Sequence, residues 1–288
     1  LNVSNYAEIN SITARNLELT KNQREKTVFG SLLWVLDKCK SSMGTRLLKR
    51  YINNPLLDVE KILKRGVLYV GTTSDYKPFT YIENGEHKGY DIEVAKLIAK
   101  ELGVKVEFVP TTWKTLLDDL QAGKFDIAMG GITRTTKRQA ICNMTNPYLV
   151  FGKCFLVRKG DKNKYNSLEA VNKPNVRVGV NIGGTNEALV NEYISKATVI
   201  RYKNNLDVPV ALEKGEVDVM ITETPEAITY QKNNPKLEGA LLDKTLTKSQ
   251  MGYMIAKENQ HLLNTVNFIL SELELRGEIE KLQKEYLK

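Results

Sequence analysis

Two carboxylates three residues apart, Glu223 and Glu226, lie in the string Thr222-Glu223-Thr224-Pro225-Glu226-Ala227. The string follows the strongest buried-strand pattern in the chain, Val217-Asp218-Val219-Met220-Ile221. An ionised carboxylate at a strand end can hold an ammonium group. The same group taken out of water keeps its proton and can act as a general acid. Arg138 comes after another strand end, Gly130-Gly131-Ile132-Thr133. An arginine there can grip a carboxylate through two parallel hydrogen bonds. Gly131 and Thr133 would bring the backbone close, and Thr133 adds a hydroxyl and a backbone donor. A third string, Asn181-Ile182-Gly183-Gly184-Thr185-Asn186-Glu187, follows a buried strand and opens a helix. Its glycines permit close approach, and the N–H groups at the helix start attract an anion. Asn181, Gly184, Thr185 and Asn186 are therefore candidate ligand contacts. Thr185 can equally be an N-cap, with Glu187 well placed in the first turn. Asp75, Tyr76 and Phe79 follow the first strand and Trp113 follows another. Their aromatic rings can box an apolar or cyclic ligand body, although ordinary packing is the better reading for Phe79.

These groups need a frame, and the pattern from Val67 onward supplies one. Val67-Leu68-Tyr69-Val70 reads as a strand, Asp91 to Leu102 as an amphipathic helix, and Val104 to Val109 as a strand. A helix from Trp113 to Ala122 and a buried strand Asp126-Ile127-Ala128-Met129 complete the first cycle. The second cycle starts at Val176-Arg177-Val178-Gly179-Val180. It runs through a helix from Thr185, a strand from Thr198 to Tyr202, a helix near Val208–Lys214 and the Val217–Ile221 strand. Apolar strands between helices predict parallel sheets covered on both faces. Two such cycles predict two α/β lobes with a ligand crevice outside the carboxyl ends of the strands. Lys153–Val157 and Met251–Ile255 read as the crossings between lobes, and a helix from about Leu262 returns to the first.

Composition narrows the function classes. The chain has 288 residues, 42% of them apolar and 26% charged, which is ordinary for a globular protein. No apolar run approaches the roughly 20 residues of a membrane-spanning helix. The start, Leu1-Asn2-Val3-Ser4-Asn5, has no secretory-signal layout, so no compartment is assigned. The net charge of +8 divides evenly: residues 1–62 hold ten Lys/Arg and six Asp/Glu, and the rest hold 32 and 28. No Lys/Arg block is long enough to argue for nucleic acid. Cys39, Cys142 and Cys154 form no paired motif; buried free thiols are the better reading, with a Cys142–Cys154 bridge as the alternative. His87 and His261 read as solvated surface residues. No metal site, Walker-type loop or dinucleotide fingerprint is present, so no cofactor is expected.

The first sixty residues are basic and helical in pattern. Leu32, Leu33, Val35, Leu36, Leu47, Leu48 and Tyr51 are the apolar positions, Gly44 is an interruption, and Pro55 stops the pattern. A segment this short cannot bury itself well alone. Arg15-Asn16-Leu17-Glu18-Leu19-Thr20, Gly30-Ser31-Leu32-Leu33-Trp34-Val35-Leu36-Asp37-Lys38, Ser42-Met43-Gly44, Arg46-Leu47-Leu48 and Pro55-Leu56-Leu57-Asp58 carry a resemblance to the core domain of MutS-type mismatch repair proteins over residues 9–62. The mismatch-reading domain, the ATPase loop and a complete clamp are all missing. The segment is therefore read as a helical appendage left by a gene fusion, a recombination or an assembly artefact, and nucleic acid is not expected as a partner.

Residues 62–288 resemble amino-acid-type periplasmic solute-binding proteins. The carrying strings are Arg65-Gly66-Val67-Leu68-Tyr69-Val70-Gly71-Thr72, Tyr76-Lys77-Pro78-Phe79-Thr80-Tyr81, Gly89-Tyr90-Asp91-Ile92-Glu93-Val94-Ala95, Gly123-Lys124-Phe125-Asp126 and Asn146-Pro147-Tyr148. The resemblance implies a two-lobed α/β periplasmic-binding-protein fold of type II. The expected division is 1–62 for the appendage and 63–288 for the solute-binding domain. Within the latter, lobe 1 is about 63–152 and 256–288, and lobe 2 about 158–250. It also implies that Arg138 holds a ligand carboxylate, that Glu223 holds its ammonium, and that an ABC transporter permease is a possible partner. Asp75-Tyr76-Lys77-Pro78, Gly183-Gly184-Thr185-Asn186-Glu187 and the Glu226-Ala227 pair resemble, in addition, the cyclohexadienyl dehydratase family. That family places its cofactor-free general acid on Glu226. It also has a lysine just before the return strand, where this chain has Met251, with Lys248 out of register. Binding of an amino acid or related small carboxylate is the leading expectation. Dehydration of prephenate or arogenate is the alternative, and DNA binding a distant third.

Overall fold

A computed structural model describes residues 9–53 and 58–287. The chain divides into two compact units, Leu1–Arg65 and Gly66–Lys288. The boundary falls three residues later than the sequence pattern placed it. The helix Asp58–Arg65 runs unbroken through residue 62 and ends before Gly66, whose φ of +72° only glycine adopts freely.

The first unit holds the helices Ser11–Asn16, Leu32–Leu36, Ser42–Asn53 and Asp58–Arg65. Asn10 and Ser31 cap the first two through their side-chain oxygens. The break in the helical stretch lies after Leu36 rather than at Gly44, which sits inside Ser42–Asn53. Phe29, Trp34, Val35, Met43 and Leu47 are exposed, whereas Leu19 and Leu33 are buried. Pro55, Leu56 and Leu57 lie outside the described residues.

The second unit is built on two five-stranded sheets. The first runs Lys105–Pro110, Val67–Thr72, Ile127–Ala128, Met254–Ile255, Asn143–Met144. The second runs Thr198–Tyr202, Arg177–Asn181, Val219–Glu223, Lys153–Arg158, Leu237–Ala240. The first three strands of each are parallel, as the alternation of strands and helices predicts. The remaining strands pair antiparallel, so both sheets are mixed rather than purely parallel. The link between the sheets also differs from expectation. Leu149–Phe151 pairs antiparallel with Ser249–Met251 as a two-stranded ribbon outside both sheets. Lys153–Arg158 already belongs to the second sheet, and Met254–Ile255 to the first.

This shift of four residues matters for the site. With Lys153 inside the second sheet, its register partner on the neighbouring antiparallel strand is Glu223. Cross-strand partners share a face of the sheet. The core beneath that face is apolar, with Phe155, Val157, Val178, Val180, Val219 and Ile221 packed together. Each such residue contributes roughly 1.5–3 kcal/mol when fully buried. That platform is large enough to carry a few buried polar groups at the strand ends.

Cys142 and Cys154 are buried free thiols, and Cys39 is free but exposed. His87 is half-buried against Phe108 and bonded to Ser74 at 3.1 Å, not a solvated surface residue. No described helix is long and apolar enough to cross a membrane, and no metal-ligating cluster occurs among the described residues.

Candidate functional site

The strand ends of the two sheets converge on one tightly closed cleft, whose cavity volume is only about 20 Å³. From the first sheet's side come Tyr76, Trp113, Gly131, Thr133 and Arg138. From the second come Asn181, Gly184, Thr185, Asn186, Asn205 and Glu223. Asn205 is the one lining residue that the sequence did not single out.

Arg138 is set by the short helix Thr136–Ile141, whose cap Thr135 accepts the Arg138 N–H at 3.1 Å. Its Nη1 donates to the Thr133 carbonyl at 2.6 Å, which fixes the guanidinium at the cleft wall. Burial pulls its pKa down, with Cys142 and Glu223 opposing. Gly131 has a φ of +64°, and a Cβ there would collide with the ring of Tyr76. Glycine is thus required both for the turn and for the ring. The Gly131 N–H donates to Asp91 at 2.6 Å, so a fully buried carboxylate holds this wall from behind.

Across the cleft, Gly184 rather than Thr185 precedes the helix Thr185–Tyr193 as its cap. Thr185 sits in the first turn, and its hydroxyl meets Thr133 Oγ1 at 3.3 Å and Lys153 Nζ at 2.8 Å. Glu187 braces the glycine turn by accepting from the Gly183 N–H at 2.7 Å and from Arg201 at 2.8 Å. Gly183 lies against the backbone of Lys114, where a Cβ would come within 2.5 Å of the Lys114 nitrogen. The two sides of the cleft therefore touch through bare backbone at its mouth.

Glu223 is buried and fully engaged. Tyr76 Oη donates to Oε2, and the ammonium of Lys153 pairs with Oε1. Lys153 also donates to Asn186 Oδ1. Burial pulls the Lys153 pKa down and the Glu223 charge pushes back. Lys153 was hidden in the sequence because it reads as the first residue of an apolar strand. Its partnership with Glu223 becomes visible only with the register. Met251, where a cation was sought, is fully buried and accepts from Tyr148 Oη at its sulfur, 3.8 Å away. The buried lysine beside this site is Lys153, paired with Glu223.

Asp75 does not line the cleft. It sits behind Trp113, accepting the indole N–H at 2.9 Å, and it receives the Asn205 backbone N–H at 3.1 Å. Phe79 is fully buried and stacks on Tyr76 at 5.3 Å, an ordinary packing role. Trp113 is half-buried and edges against Tyr76 at 5.7 Å.

Glu226 is fully buried. It lies in the first turn of the helix Thr224–Asn233 and folds back to pair with the Thr222 hydroxyl. Its Oε1 accepts from Asn205 Nδ2 at 2.6 Å. Glu226 is therefore one side chain behind the cleft surface rather than on it. Burial drives its pKa well above 4.5. Two neighbouring carboxylates, Glu223 and Asp75, add to the rise, and the Thr222 and Asn205 hydrogen bonds oppose it. The arrangement favours the protonated form of Glu226.

A two-lobed α/β cleft of this kind agrees with the known proteins that the chain matches. The model of the bacterial extracellular solute-binding proteins, family 3, matches residues 68–288, and the chain belongs to that family. Residues 68–288 are thus a solute-binding domain. Among particular relatives, cyclohexadienyl dehydratase of Pseudomonas aeruginosa is 33% identical over 201 residues, covering 69% of this chain and 75% of that protein. A crystal structure of an ancestral amino acid-binding protein, a precursor of cyclohexadienyl dehydratase, is 40% identical with a TM-score of 0.75, covering 80% and 99% of the two chains. An ancestral cyclohexadienyl dehydratase is 51% identical with a TM-score of 0.50, covering 80% and 95%. A second family model, MutS domain III, matches residues 12–68.

Proposed function

We propose that the solute-binding domain closes over a small cyclohexadienyl carboxylate, prephenate or arogenate, and dehydrates it, with Glu226 as general acid. The observation that carries this reading is the setting of Glu226: fully buried, pushed upward in pKa, and one hydrogen bond from the cleft through Asn205. A carboxyl kept neutral by desolvation can donate a proton at pH 7. In the reaction, the bond from the ring to its carboxylate breaks and releases carbon dioxide. That electron pair moves into the ring as the bond to the hydroxyl breaks. Once the Glu226 carboxyl turns from Thr222 and Asn205 toward the ring, its proton goes to the departing oxygen, which leaves as water, and Glu226 regains a proton from solvent when the lobes open. Arg138 and Thr133 would hold the remaining carboxylate, and aromatisation drives the step without a cofactor.

The Glu223 environment supports the same reading. A ligand with an ammonium group needs a carboxylate to meet it, and here Lys153 is already on Glu223, which favours prephenate over the amino acid arogenate. Binding of an amino acid or related small carboxylate, the leading expectation from the sequence, is what the family and its amino-acid-binding relatives support; without turnover, an ABC transporter permease would be the partner. The likeness to the ancestral amino acid-binding protein favours this second reading.

Incubation with prephenate or arogenate separates the two. The proposal expects phenylpyruvate or phenylalanine to accumulate and Glu226→Gln to lower kcat by about 10²–10⁴-fold. Tight amino acid binding with no turnover of either acid would establish the receptor instead.

A further inference from the structure

We propose that Asn205 couples closure of the cleft to the placing of Glu226, so that the acid is held for proton delivery only when the two lobes meet. The inference rests on the dehydratase reading. Asn205 lies between the strand Thr198–Tyr202 and the helix Asp207–Lys214, on the side of the second sheet. It is 1% exposed, and its backbone N–H and side-chain amide reach Asp75 and Glu226. The backbone N–H donates to Asp75 Oδ2 at 3.1 Å, and Nδ2 donates to the Asp75 carbonyl at 3.2 Å. Asp75 stands on the first sheet's side, tied there to Trp113. The same Nδ2 donates to Glu226 Oε1 at 2.6 Å. One amide group thus joins the opposite lobe to the acid.

The amide oxygen gives the arrangement a direction. Asn205 Oδ1 is buried with no hydrogen-bond partner among the described residues, and Asn205 lines the cleft. A buried carbonyl oxygen without a donor is unfavourable unless a ligand supplies one. The ring hydroxyl of the substrate is such a donor. A hydroxyl that gives its hydrogen to Oδ1 keeps its oxygen lone pair for the Glu226 proton. Opening the lobes would part Asn205 from Asp75 and release the amide that orients the acid.

The test is steady-state kinetics on prephenate with the full chain, using Asn205→Ala and Asn205→Asp. The aspartate variant preserves shape and the backbone donor but loses Nδ2, and circular dichroism checks that each variant folds. The expected result in both is a fall in kcat of about 10- to 100-fold with KM held within about threefold, as for a misplaced reacting group. A merely structural role would lower the amount of folded enzyme without this split. Wild-type kcat in a folded variant, or a rise in KM alone, would overturn the role of Asn205 while leaving the dehydratase reading intact. Absence of turnover by the wild-type protein would overturn the dehydratase reading and this role with it.

Discussion

Asp91 and Glu226 are two fully buried carboxyl groups, each in the first turn of a helix, one beside each sheet. Their surroundings differ. Asp91 receives the Gly131 N–H at 2.6 Å, the Tyr253 hydroxyl at 2.8 Å and the Tyr148 hydroxyl at 2.9 Å. These donors hold its pKa to about 6 against the push of burial, so it is charged at neutral pH. Glu226 has one amide and one hydroxyl, and it faces Glu223 and Asp75. Its pKa rises well above 4.5. The helix N-terminus, which favours a negative charge, is common to both and does not decide the outcome. The donor count and the sign of the neighbours do. Asp91 is built as a fixed anion that braces the Gly131 wall, and Glu226 as a store for a proton.

The contrast predicts responses of the same sign but over pH windows of different width when each charge is removed. A carboxyl whose folded pKa is raised contributes its full share of stability below the unfolded value and loses it as pH rises through the folded value. For Glu226 the loss begins near the usual 4.5 and continues upward. Relative to Glu226→Gln, which cannot ionise, wild type should lose up to about 1.4 kcal/mol per pH unit above that point. Denaturant titrations of both proteins from acid to mildly alkaline pH measure this, and parallel curves would remove the distinction. For Asp91 the window is narrower, from the usual 3.8 to about 6. Asp91→Asn should gain about 3 kcal/mol on wild type across that window, and nothing further above it. This gain is superimposed on a pH-independent cost of about 1–3 kcal/mol for the weakened hydrogen bonds. A difference that keeps changing above pH 7 would mean that Asp91 is not the anion described.

Much of this was legible in the sequence, and the gaps have physical causes. The strand and helix order, the glycine turns at Gly131 and Gly184, and Arg138 follow from local pattern. So do ten of the eleven residues lining the cleft. Asn205 gave no signal because it stands in the polar run Lys203-Asn204-Asn205, which follows the Thr198–Tyr202 strand without a glycine turn. Lys153 was concealed because its importance comes from pairing with Glu223 across two antiparallel strands, which are separated by seventy residues. Asp75 was read as a cleft residue because it neighbours Tyr76. Alternation along the chain turns it toward Trp113 and Asn205 instead. Glu226 was found by its place in a string, but its depth behind Asn205 is a property of packing alone.

The central claim is that Glu226 carries a proton in the folded domain at neutral pH. Infrared difference spectroscopy of wild type against Glu226→Gln at pH 7 tests it directly. The account predicts a protonated-carboxyl carbonyl band in the wild-type spectrum that the glutamine variant lacks. A pair of ionised-carboxylate bands lost in the variant, with no protonated band, would contradict it.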